Sequence, residues 1–282
     1  MKLHNNITDI TIREENELYN KTWIKTNNLM FPNTVSVNQF KNESPSKVDS
    51  SPMMVVWLKN IDKLLELIPK SYNLHNYHLL DIGCGSGIST IYFRKRFKFK
   101  SYSGIDYEKK FIDQSKLNTL KMSINDIRFI IDDVTNLLLD DKPNFLFLFN
   151  PFGLKTMKPF FLNNIENLKK NKSIIGYVND IHIDYFEKYD TQIIRNDYYN
   201  ISILNIGKSA WHSDDFNSDD GNNFWCADEN LNGYLDSWIQ YLDTPTITIG
   251  IGGELSARLY YAIESSDGAA GEVEGSCTDG WD

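Results

Sequence analysis

The sequence predicts a doubly wound α/β domain on a mainly parallel seven-stranded sheet. Three observations carry that expectation. Seven short apolar runs alternate with stretches of helical periodicity, a pattern that demands crossover connections. One run, Phe145-Leu-Phe-Leu-Phe149, is unbroken, as in a strand covered on both faces. The last two runs, Thr191–Ile194 and Ile201–Ile206, stand close enough to close the sheet as an antiparallel pair. The 282 residues allow one large domain or two small ones.

Taken in order, residues 1–50 are polar with scattered aromatics (Tyr19, Trp23, Phe31, Phe40) and read as an N-terminal extension. Met54, Trp57, Leu58, Ile61, Leu64, Leu65 and Ile68 recur at helical spacing, so 52–68 is expected to be an amphipathic helix with Pro52 in its first turn and Pro69 ending it. His78–Ile82 is the first strand and Ile88–Phe97 the helix after it. Tyr102–Ile105 (strand), Lys109–Lys121 (helix) and Ile127–Ile131 (strand) follow. After Phe145–Phe149 come a helix over Pro159–Leu168 and an apolar strand, Ser173–Val178.

The charge divides the chain. It carries 29 basic and 38 acidic residues, net −9. Residues 209–282 hold 15 of the acidic residues and one basic residue, Arg258, so a mildly basic body, net +5, carries an acidic segment. The expected organisation is an extension (1–50), an α/β domain (51–208) and an acidic C-terminal module or tail (209–282). Within the tail, Leu231–Leu242 suits a short helix and Thr246–Gly252 a strand, while 264–282 has the composition of a disordered segment.

Other classes are disfavoured. No run approaches the ~20 apolar residues of a membrane span, and the N-terminus lacks the apolar core of a signal peptide. Cys84, Cys226 and Cys277 are too few for a disulfide framework, so a cytoplasmic setting is expected. No metal-ligand spacing is present, and no metal is expected. A body charge of +5 makes nucleic acid an unexpected partner, and the cluster Arg94-Lys95-Arg96 reads as a solvated helix end.

The chemistry concentrates at Leu80-Asp81-Ile82-Gly83-Cys84-Gly85-Ser86-Gly87, between the first strand and its helix. Glycines there let a ligand approach the backbone, and the helix start adds free N–H groups and partial positive charge. An acidic residue about 20 positions on, Asp106 at the end of the second strand, suits a carboxylate gripping ribose hydroxyls. The spacing Gly83-x-Gly85-x-Gly87 differs from that of NAD enzymes, and no P-loop Lys-Ser/Thr follows.

The run LLDIGCGSGIST resembles motif I of class I S-adenosylmethionine (SAM)-dependent methyltransferases. The resemblance extends over about residues 52–207 and takes in Gly104-Ile105-Asp106, Asp132-Asp133-Val134 and Asn150-Pro151-Phe152. It implies that Gly83, Gly85 and Gly87 line the amino-acid end of SAM and that Asp81 holds its amino group. Asp106 would take the ribose hydroxyls and Asp133 the adenine amino group, with Ile130 or Val134 over the ring. Asn150-Pro151-Phe152 resembles a shortened form of the motif found in methyltransferases acting on amino groups, with its second proline missing, and more closely a poorly assigned subgroup carrying Asn-Pro-Phe at this place. Asn150 would border the cofactor and accept a hydrogen bond from an NH of the acceptor. His182, after the fifth strand, is the best-placed base, ahead of Tyr198 and Tyr199.

The implied activity is methyl transfer from SAM to an unidentified acceptor, a small molecule, peptide or protein, at nitrogen or oxygen. The alternative is a non-catalytic SAM-binding or regulatory module. The acidic tail is open between an accessory segment, a cover over its own domain and a site for a protein partner.

Overall fold

The computed structural model describes residues 10–206 except 32, 33, 71, 188 and 190, together with five short strands further on. By contacts the chain forms two compact units, 1–241 and 242–282. In the first, seven long strands are joined in the order β3-β2-β1-β4-β5-β7-β6. They are β1 (His78–Ile82), β2 (Ser101–Asp106), β3 (Ile127–Ile131), β4 (Asn144–Phe149), β5 (Ile174–Val178), β6 (Thr191–Asn196) and β7 (Ile201–Ile206). Strands β1 to β5 run parallel and β7 and β6 close the sheet antiparallel. The expected doubly wound sheet with its terminal hairpin is therefore present.

Alternation along the strands assigns the two faces. Leu79, Phe145 and Phe147 point into one apolar cluster, with Leu58, Ile61, Leu64, Ile91 and Tyr92. Leu80, Leu146 and Leu148 point into the other, with Met157, Phe160, Phe161, Tyr185 and Phe186. The helices supplying these residues are α2 (Leu58–Glu66) and α3 (Ile88–Arg96) on one face and α5 (Leu154–Lys170) and α6 (Asp184–Glu187) on the other. Each fully buried apolar side chain contributes roughly 1.5–3 kcal/mol, so burial of β1 and β4 on both faces is strongly stabilising. Helices α1 (Ile10–Thr26) and α4 (Lys109–Lys121) complete the unit.

The structure departs from expectation in four places. The helix expected over 52–68 spans only Leu58–Glu66. Residues 50–53 are extended instead, because their backbone bonds elsewhere: Ser51 N–H to the Pro151 carbonyl at 2.9 Å, and Met53 in a two-bond bridge with Val35. The helix expected to begin at Pro159 begins at Leu154 and carries the proline in its second turn. The extension contains α1 and, after it, a segment tied across the sheet's edge. Finally, the sheet gains an eighth, two-residue strand, Trp238–Ile239, antiparallel to β6, inside the stretch expected to be helical. It follows two strands that pair with each other, β8 (Trp211–Asp214) and β9 (Asn223–Cys226), and so is β10. In the second unit, β11 (Ala262–Glu264) pairs with β12 (Ala270–Glu272). The strand expected over Thr246–Gly252 lies outside the described residues.

Candidate active site

The carboxyl ends of β1, β2, β4 and β5 meet at one edge of the sheet. There the glycine loop turns from β1 into α3. Gly83, Gly85 and Gly87 all take left-handed backbone angles, φ +70°, +53° and +74°. Gly83 also has to be glycine for space, since a Cβ would lie 2.5 Å from that of Pro151. The loop is held from below. Its Gly85 and Ser86 carbonyls accept from Ser115 Oγ at 2.9 Å and Asn118 Nδ2 at 3.1 Å, both on α4.

Asp81 is 2% exposed, and its Oδ2 accepts from Ser89 and Thr90 hydroxyls on α3, each at 2.6 Å. Burial raises its pKa to about 6 against those hydrogen bonds. Asp106 accepts the Gly85 N–H at 3.0 Å on one oxygen and the Glu108 N–H at 2.9 Å on the other. Burial raises its pKa to about 6 as well. Two carboxylates thus flank the loop, each fixed by donors and each with lone pairs left for a ligand.

A cleft opens beside them, lined by Gly83, Ile105, Asp106, Asp132, Val134 and Pro151 among others. A second, smaller lobe reaches Asp81, Ser86 and Ser89. Met53, Met54, Gly83 and Phe149 line both lobes. Asp81, Asp106 and the glycine loop are therefore brought together.

Asp133, for which the resemblance implied the adenine amino group, has donors of its own on both oxygens. Its Oδ2 accepts from Ser44 Oγ, from Ser46 N–H at 2.9 Å and from Ser46 Oγ at 2.8 Å, and its Oδ1 from Thr135 N–H and Oγ1. Burial alone would raise its pKa, but these donors outweigh it and hold the group at about 2. Asp133 anchors the N-terminal segment, and its neighbour Asp132 lines the cleft. Val134 lines it too, whereas Ile130 packs among apolar residues under the sheet.

Asn150 and His182 lie beyond the lining of the two lobes. The Tyr177 hydroxyl donates to Asn150 Oδ1 at 3.5 Å. Asn150 is left-handed at φ +41°, a conformation asparagine tolerates, which turns the chain sharply out of β4. Burial lowers the His182 pKa, while Asp49 and Asp184 pull it back up. Tyr198 and Tyr199 lie in the turn between β6 and β7, away from the cleft lining. Cys84 is buried against Gly104, as a packing residue.

Sequence reasoning missed the residues of 40–54. Phe40, Ser46, Ser50, Ser51, Met53 and Met54 line the cleft from above. Asp49 supplies the cap that α5 lacks: its carbonyl takes the Gly153 N–H at 2.8 Å, and its carboxylate takes Thr156 N–H at 3.2 Å and Thr156 Oγ1 at 2.5 Å. One local signal was available. The residue before a proline avoids helix, so Ser51-Pro52 favours an extended segment.

Residues 73–210 match a family model described as a methyltransferase domain. No curated protein matches the chain in sequence. Among solved structures, the chain is similar to a putative RNA methyltransferase from Pyrococcus horikoshii, with 14% identity over 60% of this chain and 94% of that one and a TM-score of 0.41. It is similar to a putative SAM-dependent methyltransferase from Methanococcus maripaludis, with 14% identity over 59% and 96% and a TM-score of 0.37. It is also similar to a SAM-dependent methyltransferase from Thiobacillus denitrificans in complex with S-adenosylhomocysteine, with 19% identity, 43% of this chain and a TM-score of 0.32. The chain spans 46% of that last protein's length, about half.

Proposed function

We propose that the chain binds SAM in this cleft and transfers its methyl group to a nitrogen or oxygen acceptor. One observation carries the reading: a loop of three left-handed glycines between β1 and α3, flanked by Asp81 and by Asp106 at the end of β2. The match of residues 73–210 to a methyltransferase domain supports it.

The residues present fit the cofactor. Two donor-fixed carboxylates suit an ammonium group (Asp81) and a pair of ribose hydroxyls (Asp106). Ile105, Val134 and Phe40 give the larger lobe an apolar lining suited to a flat ring. Bound SAM supplies a methyl group on a cationic sulfur, already activated for displacement. The chain's contribution is then mostly positioning. Asn150, turned out of β4, would orient the acceptor through its amide. His182 would take the acceptor's proton where one must be lost. Its lowered pKa keeps the imidazole neutral, and so able to accept, near pH 7.

The test is thermal stability of the full chain with and without S-adenosylhomocysteine, with NAD as control. Ligand at 100 times its Kd is expected to add about 2.7 kcal/mol. A shift with NAD alone, or no shift with S-adenosylhomocysteine in a folded protein, sinks the reading.

A further inference from the structure

The Asp81 end of the proposed cofactor site is roofed over. Asp81 is 2% exposed and Gly85 is buried. The side chain over Gly85 is Met53, whose Cγ would stand 3.0 Å from a Cβ placed there. Met53 also lines both lobes of the cleft. A ligand lying from Asp106 to Asp81 therefore passes beneath Met53.

The segment carrying Met53 is attached in two distinct ways. Its ends are clamped by asparagine side chains that pair reciprocally with the backbone. Asn118 of α4 accepts the Met30 N–H at 2.8 Å and donates to the Met30 carbonyl at 3.0 Å. Asn20 of α1 donates to the Val56 carbonyl at 2.9 Å and accepts the Leu58 N–H at 3.0 Å. Between these clamps the ties go mainly to carboxylates. Glu108, 2% exposed, accepts the N–H groups of Lys41 and Asn42 at 2.8 and 2.9 Å. Asp133 accepts from Ser44 and Ser46. Asp49 and Ser51 bond to the loop after β4. The apolar anchorage is small: Phe40 and Met53 pack with Phe111, Val35 and Val37 in a minor cluster, and Phe31 and Val55, beside the two clamps, reach a main core. On opening, the donors and carboxylates of these ties regain water, so little of their gross strength is lost. Apolar burial, which water does not replace, is scarce here. Such a segment belongs to the low-stability end of a molecule.

We propose that residues 34–55 form a gate that lifts between the Asn118 and Asn20 clamps to admit and release the cofactor. Met53 closes over the ligand, and the Ser44/Ser46–Asp133 latch sets the exchange rate. The gate lies outside residues 73–210, which match the methyltransferase domain. It rests on the cofactor reading given above.

The experiment uses the full chain and S-adenosylhomocysteine, with association and dissociation rates from stopped-flow competition and amide hydrogen exchange read in parallel. In S44A/S46A both rates are expected to rise at least fivefold while Kd changes less than threefold, because a latch acts on passage rather than on the seated ligand. Amides 41–53 are expected to exchange together, faster than those of β1 and β4, and faster still in the variant. M53A, which leaves the latch intact, gives a second route and is expected to speed dissociation more than association. Rates equal to those of the unaltered chain in both variants, or strap amides that exchange only with the sheet, overturn the gate while leaving the cofactor reading intact. Failure of the unaltered chain to bind S-adenosylhomocysteine overturns the cofactor reading and the gate with it.

Discussion

Gly87 begins α3 at φ +74°, with no room for a side chain: a Cβ would lie 2.8 Å from Phe129 Cζ and 2.9 Å from Ser115 Cβ. Left-handed strain costs a non-glycine residue roughly 1–2 kcal/mol, and overpacking typically 1–3 kcal/mol more. Gly87→Ala is therefore expected to destabilise the chain by about 2–5 kcal/mol, read from the midpoint of urea unfolding. A change below 1 kcal/mol would mean that α4 and β3 yield more easily than their packing implies. The carboxylates above the loop make a different prediction. Asp81 and Asp106 are raised to about 6 in the ligand-free protein, so at pH 5 each is mostly protonated and at pH 7.5 ionised. A ligand ammonium needs the ionised form of Asp81. Affinity for S-adenosylhomocysteine is expected to be about tenfold weaker at pH 5 than at pH 7.5 through that one group. Isothermal titration at the two pH values checks it, with D81N expected to flatten the dependence. Raised carboxylates have the opposite effect on the stability of the free protein: their contribution is fully present below the unfolded pKa near 4 and is lost as pH rises through 6.

At the scale of elements, the sequence was legible where a side chain's fate is fixed by its neighbours along the chain. The alternation of Leu79 and Leu80, or of Phe145 and Leu146, between two cores is a period-two pattern, and the structure contains β1, β3, β7 and α4 over the same residues as expected. Met54 and Trp57 fitted a helical period equally well, yet the backbone before Leu58 is extended. Tertiary ties decided it: Ser51 and Met53 spend their N–H groups on Pro151 and Val35, far off in sequence. The ties of Asp133 were hidden for the same reason. Its partners, Ser44 and Ser46, lie almost ninety positions away, and no local pattern announces them. The clamps at the ends of the strap are equally non-local and should be energetically visible. Asn20→Ala leaves the Val56 carbonyl and the Leu58 N–H without their partner in a buried setting, at roughly 1–3 kcal/mol each. Chemical denaturation is expected to show a loss of about 2–6 kcal/mol, with leucine no better than alanine because the missing feature is polar. Gly153→Ala is milder. Its Cβ would approach Asp49 Oδ2 to 2.9 Å, displacing the cap of α5 at about 1 kcal/mol.

Across the whole molecule the sheet separates two tasks. Its carboxyl edge holds the cleft, while its opposite end carries packing groups such as His78, which is bonded to Ser101 and whose pKa burial lowers to about 4. That polarity was readable, because ligands bind outside the carboxyl ends of parallel strands. How the sheet ends at its sides was not, since an edge is defined only by which strand fails to find a neighbour. At one side β3 is short and carries Arg128, a charge that discourages further pairing. At the other side β6 would expose Ile193 and Ile194, but the backbone of Trp238–Ile239 pairs with them, from the acidic part of the chain. Two residues of pairing contribute little to stability. Their consequence is to cover unpaired N–H and C=O groups that would otherwise template a second chain. Replacing both Trp238 and Ile239 by proline removes those donors and frees the edge. The expected outcome in sedimentation velocity is self-association that grows with concentration, while S-adenosylhomocysteine binding at the far carboxyl edge stays within twofold of the unaltered chain. A strictly monomeric variant would mean that the β6 edge is protected without β10, and a loss of binding would mean that this edge and the cleft are energetically coupled.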